Sequence, residues 1–352
     1  MIRVGLIGYG YAGRTFHAPL IRATPGLQLV AVSSSRPERV TADLPGIAVL
    51  PSSGDLLAMP SIDLVVIAAP PDVHAALAAS ALRAGKHVVV DKPIAPTLDD
   101  ARATAMLATG SDRVLAVFQN RRWDGDYLAL RDLLSRGVLG EVSHFESHFD
   151  RYRPLVRNRW REQPGAGAGL WHDLGPHLVD QALQLFGLPD RVWGSLAAQR
   201  SGSQVDDWAH VVLEYNRRRA ILHASVLVAA PPVRFIVHGR DGSWIKYGVD
   251  AQEQQLVAAL TPGGSVAPGE PEQAVMVDGV HGTRTSTPVP SGDYPEFYRR
   301  VRDAIDGAGG NPVPPEQAVA VAAVVETAIR SSAEGRALTV PLTESERLAF
   351  GR

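Results

Sequence analysis

The chain has 352 residues, 45% hydrophobic and 20% charged, with a formal net charge of -2 and no cysteine. That length suits two domains, and the interleaved acids and bases leave neither a basic field for nucleic acid nor a polybasic tail for a membrane surface. Without cysteine there are no disulfides, thiolate metal sites or cysteine nucleophiles.

An apolar strand already under way at residue 2 leaves no room for a charged leader. The longest apolar runs, such as "LVVIAAPP" (64–71), fall far short of the roughly 18 residues of a membrane span. A cytoplasmic protein is expected.

The first 118 residues alternate short β-branched runs with Ala- and Leu-rich stretches. Strands are expected at 2–8, 27–34, 62–70, 86–93 and 113–120, with helices at 13–24, 72–85 and 97–110. Gly85 sits where a helix C-terminus places its glycine. The run 62–70 is continuously apolar, as a strand buried on both faces must be. Such alternation implies right-handed crossovers and a parallel sheet.

The period then changes. In "EVSHFESHFDRYRP" (141–154), Val142, His144, Glu146, His148 and Asp150 fall on one side of a strand, and Phe145 and Phe149 on the other. Hairpins are expected at 206–228, turning at "NRRR", and at 233–248, turning at Asp241-Gly242. Residues 261–292, rich in Pro, Gly and Ser, read as a long loop. Helices at 294–307 and 315–335 and a short strand at 337–342 complete the chain. The expected fold is α/β: a Rossmann domain over 1–119 and an α/β domain over 120–352 with a large, mostly antiparallel open sheet. Helices within 294–335 are candidates to pack back on the first domain.

Four stretches carry chemistry. "GYGYAG" (8–13) follows a strand and opens a helix, as a dinucleotide site requires. Gly8 would make the tight turn, Gly10 would let the pyrophosphate approach, and Gly13 would let the helix pack on the sheet. An NAD site places an acid about 20 residues further on. Here that position is Ser33, and no carboxylate precedes Glu38. Ser33, Ser34, Ser35, Arg36 and Arg39 instead suit a 2′-phosphate, which favours NADP and leaves NAD open.

Lys92, in "VVVDKP", lies just past the carboxyl end of a strand, where ligands of open α/β sheets sit. It is either a surface lysine closing a strand or a donor to a substrate hydroxyl. In "LWHDLGPH" (170–177), Asp173 and His177 are four apart and share a helix face. Pro176 is compatible with a helix only if the helix is just beginning there. His177 is either a satisfied structural residue or a proton acceptor, with Asp180 placed to orient its ring. The stripe on 141–154 invites a zinc reading. Alternation along a strand accounts for it without metal, and none is expected.

Together, "GLIGYGYAGRTFHAPLI", "AAPPDVHAALAASALRAGKHVVVDKPIA", "NRRWDGDYLALRDLLSRGVLGEV" and "GLWHDLGPHLVDQALQLFG" resemble the glucose–fructose oxidoreductase/inositol dehydrogenase (Gfo/Idh/MocA) family. The family's Glu-Lys-Pro stands here as Asp91-Lys92-Pro93, and its Asp-x-x-x-His as Asp173 and His177. "GYGYAGRTFHAP", "NRRWDGD" and "FESHFDRYRP" look most like the NADP-dependent scyllo-inositol dehydrogenase branch.

The resemblance implies a nicotinamide cofactor and a cyclic polyol or sugar as substrate, with Lys92, Asp173 and His177 catalytic. It extends the cofactor set to Tyr11, Ala12, Pro70, His74, Asp91, Lys92 and Pro93. The candidate substrate contacts are Asn120, Arg122, Asp124, Arg153, Arg157, Trp171 and His172, besides Asp173 and His177. It also implies a homodimer or homotetramer formed through the open sheet. The alternatives are reduction of another sugar carbonyl (an aldose, an anhydro-ketose or a biosynthetic keto-sugar) and a regulator of the same fold that binds dinucleotide without catalysis.

Overall fold

Continuous apolar runs near the N-terminus become the strands of a parallel sheet in the computed structural model, which describes residues 1–165, 167–259 and 273–351. The strands are β1 (Ile2–Ile7), β2 (Leu27–Ser33), β3 (Ala48–Leu50), β4 (Leu64–Ile67), β5 (His87–Asp91) and β6 (Leu115–Phe118). Their order, β3-β2-β1-β4-β5-β6, is the doubly wound order of a Rossmann sheet. Every residue of β4 is buried, as is the Val88–Val90 run of β5, because helices cover both faces.

The described residues of 1–123, 251–268 and 293–319 form this compact unit. Its sheet therefore draws cover from late in the chain. In the helix Pro295–Ile305, Phe297, Tyr298 and Val301 are buried, and the Phe297 ring lies edge-on to Phe118 at 4.9 Å.

The described residues of 124–250, 269–292 and 320–352 form a second unit. Its strands are β7 (Val142–Asp150), β8 (Arg191–Ala197), β9 (Trp208–Glu214), β10 (Arg219–Ser225), β11 (Val233–Gly239), β12 (Gly242–Tyr247), β13 (Gln273–Asp278) and β14 (Arg284–Pro288). They form one sheet in the order β14-β13-β12-β11-β7-β10-β9-β8. All pairs are antiparallel except β7 with β10. One face buries Phe145, Phe149, Leu222, Val211 and Phe235, and the helix Leu170–Phe186 packs against β7, β9 and β10. The other face carries the polar stripe of β7, which is half exposed.

Several details depart from the sequence expectations. Residues 273–288 are not loop but the hairpin β13–β14, in which Ala274 is buried and Asp278 binds the amides of Val280 and His281 to close the turn. Of the rest of the expected loop, 289–292 carries no helix or strand and 261–272 lies outside the described residues. The expected strand at 337–342 is reduced to a single bridge, Leu338 with Val192. Val142 is buried rather than aligned with the polar stripe; the register with β11 slips between His238 and Gly239. The expected helix 13–24 opens with a π turn, Gly13–His17, before continuing as Ala18–Ala23. Among the described residues, no helix is long and apolar enough to cross a membrane.

Candidate active site

In the first unit, the candidate residues gather at the carboxyl ends of the strands. Gly8 has φ +94°, and a Cβ there would stand 2.5 Å from the Ala68 carbonyl oxygen. A Cβ on Gly13 would come within 2.2 Å of the Gly8 carbonyl oxygen, whereas one on Gly10 would meet nothing within 4 Å. The turn is thus closed on its protein side and open at Gly10, where a pyrophosphate needs room. These residues fit a dinucleotide.

At the end of β2, Ser33 is buried and its carbonyl accepts the Gly8 amide, while the Ser34 hydroxyl accepts the Arg36 amide. Ser35, Arg36 and Arg39 are exposed. The nearby acid Asp43 is engaged by Arg14, whose Nε lies 2.6 Å away. That guanidinium outweighs burial and holds the Asp43 carboxyl below its usual range. Tyr11 is 61% exposed, its hydroxyl donating to Glu253.

Lys92 follows β5 directly and is partly exposed; the Lys92–Pro93 peptide is cis. Its amide donates to the Asp91 carboxylate. Beneath Asp91 lies a buried pair absent from the sequence reading: His17 Nδ1 is 2.6 Å from the Tyr298 hydroxyl, and His17 Nε2 is 3.9 Å from Asp91 Oδ2. Burial alone would raise Asp91, but the His17 ring and the charges of His74 and Lys92 hold it below the ordinary carboxylate range. Both His74 ring nitrogens lie at hydrogen-bond distance from backbone carbonyls, 2.7 Å from Pro93 and 2.9 Å from Ala69. His74 therefore ties the loop after β4, with Pro70, to the loop carrying Lys92.

Asn120 follows β6 and is buried. Arg122 is buried too, donating to the Pro312 carbonyl and to Gln317, so its guanidinium serves the fold of this unit rather than facing a substrate.

In the second unit, Asp173 and His177 occupy the first two turns of the helix Leu170–Phe186. Pro176 thus lies inside the helix, contrary to the expectation that it marks a start. The helix is capped upstream instead: Asp206 accepts the Trp171 amide on its side chain and the Leu170 amide on its carbonyl. Gly169, with φ +99°, is demanded by that cap, because a Cβ would stand 2.0 Å from Asp206 Oδ1.

A cleft beside the cap is lined by Arg159, Arg161, Gly169, Asp173, Arg200 and Asp206. Arg161 Nε is 3.4 Å from Asp173. Arg153 is half buried among Arg151, Arg157 and Arg159; burial first, then those like charges, lower its pKa. Arg157 is exposed, and its amide donates to Glu162.

His177 is 7% exposed and Asp180 2%. His172 is half buried, and that burial lowers its pKa. Trp171 is fully buried in the core, donating to the Val325 carbonyl, and Asp124 is also fully buried. Neither presents a surface to a ligand, which corrects their expected substrate contact.

Burial raises the Asp206 carboxyl from 3.8 to about 6. A raised acid stabilises the fold while protonated, so this contribution is complete below about pH 4 and is lost as pH rises through about 6. Urea unfolding between pH 4 and 7 should show the wild type losing about 3 kcal/mol relative to Asp206→Asn, whose amide can still accept the Trp171 N–H. Parallel pH profiles for the two would refute the raised value.

A Rossmann sheet with this glycine turn, and a lysine at its ligand edge, define an NAD(P)-dependent oxidoreductase. The chain belongs to the Gfo/Idh/MocA oxidoreductase family: its NAD-binding Rossmann fold matches residues 2–119 and its C-terminal α/β domain residues 131–342. The uncharacterized oxidoreductase YdgJ of Escherichia coli is 51% identical over 339 residues, covering 94% of this chain and 96% of that protein. The scyllo-inositol 2-dehydrogenase (NADP(+)) IolW of Bacillus subtilis is 35% identical over 341 residues, covering 96% and 95%. A solved Klebsiella pneumoniae structure superposes with a TM-score of 0.92 at 48% identity, covering 100% of this chain and 99% of that one.

Proposed function

We propose that the protein interconverts a secondary alcohol and a ketone of a cyclic polyol or sugar, with scyllo-inositol and its inosose as the favoured pair and NADP as the preferred cofactor. The observation that carries this reading is the setting of three residues. Lys92 sits directly after β5 of a dinucleotide fold, and Asp173 and His177 stand four apart on one helix behind a glycine segment. The likeness to IolW supports the substrate class.

The nicotinamide, when bound, supplies the hydride donor or acceptor. Lys92 stabilises negative charge on the substrate oxygen. His177 takes the hydroxyl proton in oxidation and returns it in reduction. Asp173 holds the hydroxyl in position.

Absence of an acid at the end of β2, exposed Arg36 and Arg39, and an Asp43 already paired with Arg14 support NADP. In the same reading the protein is cytosolic, makes no use of nucleic acid, and pairs through the half-exposed face of its second sheet.

The test is oxidation of NADPH and NADH with a panel of inososes, aldoses and anhydro-ketoses. Turnover with an inosose is expected, and turnover confined to another sugar carbonyl would replace the substrate. Dinucleotide binding with no turnover on any of them would favour a regulator. Arg36→Ala/Arg39→Ala should raise KM for NADPH by about 10–100-fold, the worth of a lost charge-assisted pair, and leave that for NADH nearly unchanged. Equal effects on both would remove the NADP assignment.

A further inference from the structure

Read along β7 alone, the stripe of histidines and acids needs no metal. Strand pairing changes its composition. In the parallel register of β7 with β10, His223 stands opposite His148 and Ser225 opposite Asp150; in the antiparallel register of β9 with β10, His210 stands opposite His223. Three donors from two strands therefore converge: His148, Asp150 and His223 each offer a ligand atom within 4.8 Å of the others. His148 Nδ1 is 3.4 Å from Asp150 Oδ2, and His223 Nε2 is 3.5 Å from Asp150 Oδ1. Bonds of about 2.0–2.1 Å in tetrahedral geometry separate neighbouring donors by about 3.4 Å. Modest ring rotations bring all three onto one ion.

We propose that His148, Asp150 and His223 bind a divalent transition ion of the zinc class, bridging β7 and β10 on the half-exposed face of the second sheet.

Two further observations point the same way. The Asp150 side chain is 8% exposed, and its Oδ1 is buried with no hydrogen-bond partner. A buried carboxylate oxygen in that state is costly unless a cation or donor meets it. The outer nitrogens are also supported. His148 Nε2 lies 2.8 Å from the Glu146 carboxylate, the carboxylate–histidine arrangement that orients metal-binding rings, and His223 Nδ1 lies 3.4 Å from His210. Two imidazoles and one carboxylate select zinc-class ions over magnesium or calcium, which prefer all-oxygen sites.

The test uses the untagged full chain, stripped with chelator and dialysed against zinc chloride. One zinc per chain is expected by elemental analysis, undiminished by excess magnesium, and Co²⁺ should give the visible band of a tetrahedral site. Asp150→Asn and His223→Ala should weaken zinc binding by at least about 100-fold with circular dichroism unchanged, and Glu146→Gln by about 10–100-fold. His281→Ala, at the exposed His281–Asp278 pair, should change nothing. Should Asp150→Asn and His223→Ala misfold, the Co²⁺ band and the Glu146→Gln loss decide the matter. Substoichiometric zinc in the wild type, zinc retained in both ligand variants, or zinc lost in His281→Ala would overturn the site.

Discussion

His177→Ala and Lys92→Ala are each expected to lower kcat/KM by about 10²–10⁴-fold, while the dissociation constant for NADPH moves by less than about 3-fold. The asymmetry follows from what each side chain offers. An imidazole at the second turn of its helix moves a proton, and an ammonium past β5 stabilises an oxyanion. Neither lies in the glycine turn or the Ser33–Arg39 segment that fits the dinucleotide. Lys92→Arg keeps the charge but replaces a compact donor with a planar fork, so it should recover only part of the rate. The double variant is the sharper measurement. Groups that stabilise one transition state are strongly non-additive, so Lys92→Ala/His177→Ala should fall little below the worse single variant. Multiplicative losses, or full activity in either single variant, would separate the two residues from a common step.

Arg234→Met is the second change of large effect, expected to cost about 3–5 kcal/mol in urea unfolding. Arg234 and Asp126 are both fully buried, with Arg234 Nε 3.6 Å from the Asp126 carboxylate. The guanidinium also donates to Ser147 and Gln181, and its central carbon lies over the rings of Phe149 and Phe235, 4.1 and 4.0 Å from their centroids. Burial raises the Asp126 pKa despite the opposing arginine, so methionine at 234 would strand a carboxyl group with little solvation. Arg234→Met/Asp126→Asn should therefore recover part of the loss. A double variant as unstable as the sum of the singles would mean that packing, and not the ion pair, dominates. Gln181 lies one turn beyond His177 on the same helix, so a fall in turnover should accompany the instability.

Local periodicity and spacing made much of this legible. The βαβ rhythm, the glycine turn, the lysine after β5 and the Asp173–His177 interval are all written within a few residues of one another. What escaped the reading depends on partners far away in the chain. Arg122 reads as a polyol contact beside "NRRW", yet its carbonyl partner is Pro312 and its amide partner Gln317. Trp171 shares "LWHDLGPH" with the candidate base, but helical rotation turns it into the core. Pro176 looked like a helix start because the cap at Asp206 is 30 residues removed. His17 sat in plain view in "RTFHAP", and distant partners, Asp91 and Tyr298, give it a setting. His223 gained meaning from strand register, which no single strand reveals.

The first unit needs Phe297 and Tyr298 to cover Phe118 and His17. Those aromatics are translated after most of the second unit. On the ribosome, then, the nucleotide-binding sheet waits half-roofed while some 170 residues emerge, and the usual N-terminal-first order of assembly gives way to a chain that must be nearly complete before its opening lobe can close.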